Sequence, residues 1–221
     1  MAVDVQDDKR EKELRKKFGL QEHPDRKRGG TDGILMVDKL EVPFEIKSTS
    51  KGSITTVRDF GPNHLKSWKN KHWLIGFYSK KGNALTLSEA YYGTPSDMKE
   101  WIDGKSEYVR RDFELAEKLA PLVTDAVLVA LCGDKKVYSL DDAKSLQQKQ
   151  YKKAEYLDKM DNAQGYSRAR MLEMLRGRVI YLISRGSTLN NPHIPGEYVR
   201  KHCKRVKSKA DLALLVQQAT S

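Results

Sequence analysis

Apolar residues follow two different periods along the chain. Up to about residue 93 they come in short, strand-like runs, and beyond that they fall mostly at helical spacing. Gly33 to Val37 and Val42 to Ser48 predict the two arms of a hairpin joined by the polar turn Asp38-Lys39-Leu40-Glu41. In the second arm Phe44 and Ile46 alternate with Glu45 and Lys47. Successive side chains of a strand point to opposite faces, so the apolar pair faces a core and the charged pair projects together on the other side. Gly61-Pro62 then breaks the run, and Pro62 opens a short helix over Asn63 to Lys71. Trp73 to Tyr78 is continuously apolar, the mark of a central strand. Ala84 to Tyr92 predicts the strand that follows it.

Helical patterns dominate the remainder. Thr94-Pro95-Ser96-Asp97 combines an N-cap, a Pro at the first helical position and an acid in the first turn. Val109 to Leu119 alternates charge with Phe113, Leu115, Ala116 and Leu119. Asp125 to Cys132 fits either a strand or a buried helix, because a short apolar run has no diagnostic period. Leu140 to Met160 reads as one long polar helix. Ser167 to Arg185 carries Leu172, Leu175, Val179, Leu182 and Ile183 at helical spacing, with Gly186 as a stop. Ser208 caps a terminal helix reaching Gln218. At the other end, Val3 to Phe18 reads as a surface helix or a partly ordered arm, and Gln21 to Gly30 as a loop.

Charge narrows the range of partners. The formal net charge of +11 over 221 residues favours a polyanion. The densest basic stretches are Arg200 to Lys207 and the Lys-rich run from Lys144 to Lys159. Cys132 and Cys203 stand in unrelated contexts, which suggests a reducing compartment and excludes a multi-Cys zinc site. The five histidines show no metal-ligand spacing, and no Gly-rich phosphate loop of the P-loop type is present. With no long apolar run and no leader pattern before Asp4, the expectation is a soluble, cytoplasmic protein without membrane contact.

Glu45 and Lys47 carry the candidate chemistry, together with Asp32 in the upstream turn Thr31-Asp32-Gly33. An acid followed by Glu-x-Lys on a strand is the minimal set for a metal-dependent phosphodiesterase. Two carboxylates suit Mg²⁺, which takes carboxylate, water and phosphate oxygens, and a lysine beside them can orient water or offset phosphate charge. Acid-x-Lys also recurs at Asp7–Lys9, Asp25–Lys27, Asp97–Lys99, Asp103–Lys105, Asp134–Lys136 and Asp142–Lys144, in polar, helix-like or turn-like stretches. The bland alternative for Glu45–Lys47 is an ion pair on a strand surface, worth under about 1 kcal/mol.

These residues resemble the PD-(D/E)xK nucleases, and more narrowly the PvuII-like type II restriction endonucleases. Val37-Asp38 ahead of Glu45-Ile46-Lys47 is similar in spacing to the family's Val-Asp ahead of Glu-Leu-Lys. Gly61-Pro62 followed by Trp73-Leu74-Ile75-Gly76-Phe77-Tyr78 resembles its Asn-Pro followed by Trp-Ile-Phe-Ala-Ile-Tyr. Leu189-Asn190-Asn191-Pro192-His193-Ile194-Pro195, with Tyr198-Val199, resembles its Ile-Asn-Asn-Pro-Lys-Ile-Pro followed by Tyr-Val. The blocks cover about residues 29–93 and 187–203.

The resemblance implies an α/β (α+β) restriction-endonuclease-like fold, a mixed central sheet flanked by helices. It implies a single domain over 1–221: an N-terminal helix or arm (1–28), a catalytic sheet core (29–93), a largely helical insertion (94–186), then a recognition segment and C-terminal helix (187–221). It implies Asp32, Glu45 and Lys47 as catalytic residues, with Asp32 and Glu45 holding Mg²⁺. Asp38 is the rival acid, because the gap from Asp32 to Glu45 is longer than in the family. Asn190 and Asn191 fall where bases are read, and an Asn amide pairs well with adenine. His193 beside them suits a phosphate or base contact, and Arg200, Lys201 and Lys204 suit phosphates. Arg58 and Asp59 replace the family's histidines. They suit a guanine and a cytosine contact, or a salt bridge that only shapes their loop. The basic residues Lys149, Lys152, Lys153, Arg168, Arg170, Arg176 and Arg178 either extend the phosphate contacts or line a solvated helix face. The expected protein is a homodimer cutting a palindromic site in double-stranded DNA, paired functionally with a DNA methyltransferase. A structure-specific repair or junction-resolving nuclease of the same fold is the alternative. A non-catalytic DNA-binding protein is a third reading, which the intact acid–acid–lysine set opposes.

Overall fold

The computed structural model describes residues 6–22, 30–57, 60–82, 84–189 and 191–220. The class is mixed α+β with a mixed central sheet. The chain divides into two compact units, Met1–Glu107 with Asn190–Ser221, and Tyr108–Leu189.

The first unit begins with helix α1 (Gln6–Phe18) and the hairpin β1 (Gly33–Val37) and β2 (Leu40–Thr49). Asp38 and Lys39 alone make the turn, both at positive φ, so the hairpin is tighter than the sequence suggests. The short strand β3 (Ser53–Thr55) and helix α2 (Pro62–Trp68) lead to the long pair β4 (His72–Lys81) and β5 (Ala84–Gly93). Helix α3 (Pro95–Leu119) follows as one continuous element where the sequence suggests two segments. Thr94 and Asp97 cap it reciprocally, the Thr94 hydroxyl accepting from the Asp97 amide and the Asp97 carboxylate from the Thr94 amide.

Tyr108–Leu189 holds α4 (Asp125–Cys132), β6 (Val137–Tyr138), α5 (Leu140–Gln147), α6 (Lys153–Asp158), β7 (Tyr166–Ser167) and α7 (Arg168–Ser187). Asp125 to Cys132 is a helix, ended by Gly133 at φ 82°. The single long helix expected over Leu140 to Met160 is two short ones. Gln148 and Lys149 take left-handed conformations between them. The buried Gln147 amide donates to the Met174 carbonyl at 2.7 Å and Gln148 accepts from Arg178 at 2.9 Å. Tertiary bonds therefore outweigh helix propensity at the break. This unit has its own core, built on Leu128, Tyr138, Tyr156, Tyr166, Met171 and Leu175. Most of its arginines serve structure: Arg168 pairs with Asp125 and Asp134, Arg170 with Glu173, and Arg176 caps the carbonyls of Pro121 and Val123.

The chain re-enters the first unit with β8 (His193–Pro195), α8 (Gly196–His202), β9 (Lys204–Val206) and α9 (Lys209–Thr220), which Ser208 caps. The central sheet runs β1-β2-β4-β5-β9. The β2–β4 pair is parallel and its other neighbours are antiparallel. Parallel strands need a crossover, and residues 50–71 supply it through β3 and α2. A separate two-stranded ladder joins β3 to β8, with Ile54 opposite Ile194.

The period-2 pattern sorts β2 as expected. Val42, Phe44 and Ile46 are buried in one core with Leu14 and Phe18 of α1 and Leu212 and Val216 of α9. Leu14 and Phe18 are fully enclosed, so α1 is a core element, not a surface arm. Gly76 makes room for it, because a Cβ there would stand 2.8 Å from a Leu14 methyl. On the opposite side Trp68, Trp73 and Trp101 pack edge-on and tilted at centroid distances of 5.4–6.0 Å.

Gly76→Ala should cost about 1–3 kcal/mol by overpacking, and Leu14→Ala about 2–5 kcal/mol by opening a cavity. The double variant should lose less than the sum, because the shorter side chain relieves the new clash. Urea unfolding of the four proteins measures this; strict additivity would show that α1 does not pack over β4 in solution.

Candidate active site

The strand alternation that buries Phe44 and Ile46 turns Glu45 and Lys47 to the other face, where a third charged residue meets them. Asp32 directly precedes β1. Its amide donates to the Phe44 carbonyl at 3.0 Å, and its own carbonyl accepts from Arg15 of α1 at 3.1 Å. With both backbone groups tied, the carboxylate reaches across the hairpin. Oδ2 accepts from the Ile46 amide at 3.0 Å and from Lys47 Nζ at 3.1 Å.

Lys47 Nζ is the hub. It donates to Asp32 Oδ2, lies 3.0 Å from Glu45 Oε1, and donates to the Ile46 carbonyl at 2.9 Å. An ammonium has three protons, and three oxygens meet them. Glu11 of α1 adds a carboxylate 3.8 Å away. The other oxygen of Glu45 is held by a residue the sequence reading missed: Lys71 Nζ donates to Glu45 Oε2 at 2.8 Å and to the Gly30 carbonyl at 2.7 Å. Glu45 and Lys71 are both buried, 6 % and 4 % exposed. The parallel register sets His72 beside Phe44 and Trp73 beside Glu45, which brings the start of β4 against the charged end of β2. Only that long-range pairing finds Lys71; locally it is one more lysine in the polar stretch before an apolar run.

Burial and charge compete at each group. Burial pushes the Asp32 carboxyl up. The Lys47 ammonium, the Ile46 amide and, more distantly, Lys71 outweigh it and hold the pKa below the ordinary carboxylate value. Burial pulls Lys47 down, but Glu45, Asp32 and Glu11 overcome this and raise it well above the usual lysine value. Lys47 is therefore a permanent cation and hydrogen-bond donor at neutral pH. His64 on α2 is half-buried. Desolvation lowers its pKa, with Glu45 acting against and Lys71 with that shift.

An open cleft of about 750 Å³ adjoins this cluster, and Glu11, Lys47, Ser48, Thr55, Asn191 and His193 are among its lining residues. The Ser48 hydroxyl is enclosed and has no hydrogen-bond partner among the described residues. Asn191 and His193 come to the cleft through the β3–β8 ladder. The Pro192 carbonyl accepts from the Thr56 amide at 3.0 Å and the Thr56 hydroxyl at 2.8 Å, and the His193 ring lies 3.3 Å from the Thr55 hydroxyl. Trp101 Nε1 braces the same segment through the His193 carbonyl at 3.0 Å.

The remaining candidates stand elsewhere. Asp38 lies at the hairpin turn, bonded to Gln217 at 2.7 Å, so Asp32 is the acid that joins Glu45 and Lys47. Arg200 stacks over Phe77 at 4.5 Å, and Arg200 and Arg205 both pair with Glu89, at 3.4 and 3.5 Å. Lys201 and Lys204 are exposed on α8 and β9. Arg58, Asp59 and Asn190 lie outside the described residues.

Among the described residues no three His, Cys, Asp or Glu side chains converge as a metal cage. Two carboxylates and a backbone carbonyl do converge, around the Lys47 ammonium. An all-oxygen set of two carboxylates and a carbonyl, already gathered round a cation, fits Mg²⁺, which keeps several waters and needs few protein ligands. No helix of the described chain is long and apolar enough to cross a membrane. The chain matches no protein-family model, and no curated protein sequence matches it.

Asp32, with its folded pKa depressed, contributes stability that is present above its unfolded pKa and lost as pH falls through the folded value. In Lys47→Met the largest opposing influence is gone, so the Asp32 pKa should move up and that loss should begin at higher pH. Carboxyl-carbon NMR titration of both proteins reads the shift; the same Asp32 titration in each would refute the Lys47 pairing.

Proposed function

We propose that the chain is a Mg²⁺-dependent endonuclease of the PD-(D/E)xK type, acting as a homodimeric type II restriction enzyme on double-stranded DNA. One observation carries the reading: the Lys47 ammonium lies within 3.1 Å of both Asp32 and Glu45, on a cleft also lined by Asn191 and His193. Acid, acid and lysine at the mouth of a groove with amide and imidazole side chains is the arrangement that phosphodiester hydrolysis beside base reading requires.

Asp32 and Glu45 would hold the ion. When bound, Mg²⁺ supplies Lewis-acid polarisation of the scissile phosphate and a lowered pKa for the attacking water. Lys47 does not serve as a base, because its neighbours keep it protonated. It donates hydrogen bonds to the water or to the phosphate oxygens on which charge develops, from a position fixed before the substrate arrives. The Ser48 hydroxyl, enclosed beside Lys47, offers a further donor to phosphate. Asn191, carried on the β3–β8 ladder, presents an amide whose donor and acceptor match adenine in the major groove. The net charge of +11 supports polyanion binding in general, and the exposed Lys201 and Lys204 are its candidate phosphate contacts. A palindromic site cut in both strands calls for two copies about a two-fold axis.

Digestion of a long duplex of known sequence with Mg²⁺, followed by sequencing of the ends, tests the reading. Discrete fragments sharing one sequence at their ends are expected. Cuts that follow branched or damaged structure would favour the repair nuclease, and no cutting would favour a binding protein. Asp32→Ala, Glu45→Ala and Lys47→Ala should each slow cleavage by at least about 10²-fold, whereas Asp38→Ala should cut normally. Retained activity in Glu45→Ala would remove the site altogether.

Base reading has its own test. Asn191→Ala should lose about 1–3 kcal/mol of discrimination per half-site while keeping weak, salt-sensitive binding. Competition against single-base variants of the cleaved sequence measures it, and an unchanged profile would make the Asn191 segment only a turn.

A further inference from the structure

Lys71 is a buried charge that the hydrolytic scheme above does not use. Its ammonium spans two points of the fold, Glu45 Oε2 at 2.8 Å and the Gly30 carbonyl at 2.7 Å, and the residue is 4 % exposed. A lysine this enclosed is uncommon and is retained only when well paired. The pairing divides Glu45 into two unequal oxygens. Oε1 faces Lys47 and, through it, Asp32, while Oε2 points the other way into the buried bond with Lys71. A carboxylate that bridges two metal ions needs both oxygens free for cations. Here one already carries a fixed positive charge, which also repels any dication that approaches from that side. Asp32 repeats the asymmetry, since its Oδ2 is bonded to the Ile46 amide.

We propose that Lys71 takes the place of a second metal ion, so that the site holds one divalent cation per chain, bound through Glu45 Oε1 on the Asp32 side. The proposal rests on the metal-site reading of Asp32 and Glu45. Lys71 touches neither the cleft nor a substrate position; it acts through Glu45 and is a positioning residue. It keeps the carboxylate ionised in a buried setting, fixes which oxygen faces the cleft, and ties Gly30, two residues before Asp32, to the same point.

Counting bound Mn²⁺ by electron paramagnetic resonance and titration calorimetry on the full chain tests this without relying on activity. Wild type should bind one Mn²⁺ with Asp32-dependent affinity. Lys71→Met should bind two, because Glu45 Oε2 is released and the repelling charge is gone. Lys71→Arg, which keeps the charge, should remain at one. Two Mn²⁺ per wild-type chain, both lost in Glu45→Ala, would overturn the proposal while leaving the metal site standing. One Mn²⁺ in a folded Lys71→Met would also overturn it. Mn²⁺ binding unaffected by Asp32→Ala and Glu45→Ala would instead refute the metal-site reading, and the role of Lys71 with it. If Lys71→Met fails to fold, the wild-type count and Lys71→Arg still decide the matter.

Discussion

A carboxylate taken out of water must meet positive charge, and Glu45 meets it twice. Lys47 takes one oxygen and Lys71 the other, at 3.0 and 2.8 Å. Removing one partner of a buried pair typically costs about 3–5 kcal/mol, since the surviving charge is left uncompensated. That penalty constrains the architecture. Lys71 reaches Glu45 only if β4 lies parallel to β2 in the observed register. Lys47 reaches Asp32 only if the β1–β2 hairpin closes as tightly as the Asp38-Lys39 turn allows. The charged cluster therefore selects strand register on its side of the sheet, as Phe44, Ile46 and Leu14 select it by packing on the other.

The sheet was legible in the sequence because its signals are local. Alternation around Phe44 and Ile46, the unbroken Trp73 to Tyr78 run and the caps at Thr94 and Ser208 each act within a few residues. What local pattern missed depends on distant partners. Leu14 and Phe18 stand in a highly charged segment, and only the floor of β4, opened by Gly76, turns them into core. Leu140 to Met160 has the composition of one helix, yet Gln147 and Gln148 find partners on α7 that a continuous helix would forgo. The tiny strands β3, β8 and β9 are too short to leave a period.

The same division holds at the site. Glu45 and Lys47 could be paired from spacing alone, because two residues apart on a strand share a face. Choosing Asp32 over Asp38 needed the hairpin geometry, since the acid nearer in sequence lies at the far end of the turn beside Gln217. Lys71 needed the parallel pairing, and Glu11 needed the packing of α1. The basic run from Arg200 to Lys207, conspicuous in sequence, is partly spent on Glu89 and Phe77, so charge density alone overstates what it offers a polyanion.

The ladder between β3 and β8 has a consequence for where a bond is cut. Only residues 50–52 separate β2 from β3, and the Thr49 hydroxyl pins that turn by donating to the Ser53 carbonyl at 2.7 Å. Lys47 and the segment bearing Asn191 and His193 are thus joined by a short, hydrogen-bonded span with little slack. In an enzyme of the proposed kind, such a span works as a ruler. The number of base pairs between the base recognised and the phosphate broken would be set by backbone length, and lengthening the Ser50–Gly52 turn would move the cut along the duplex without changing the sequence that is read.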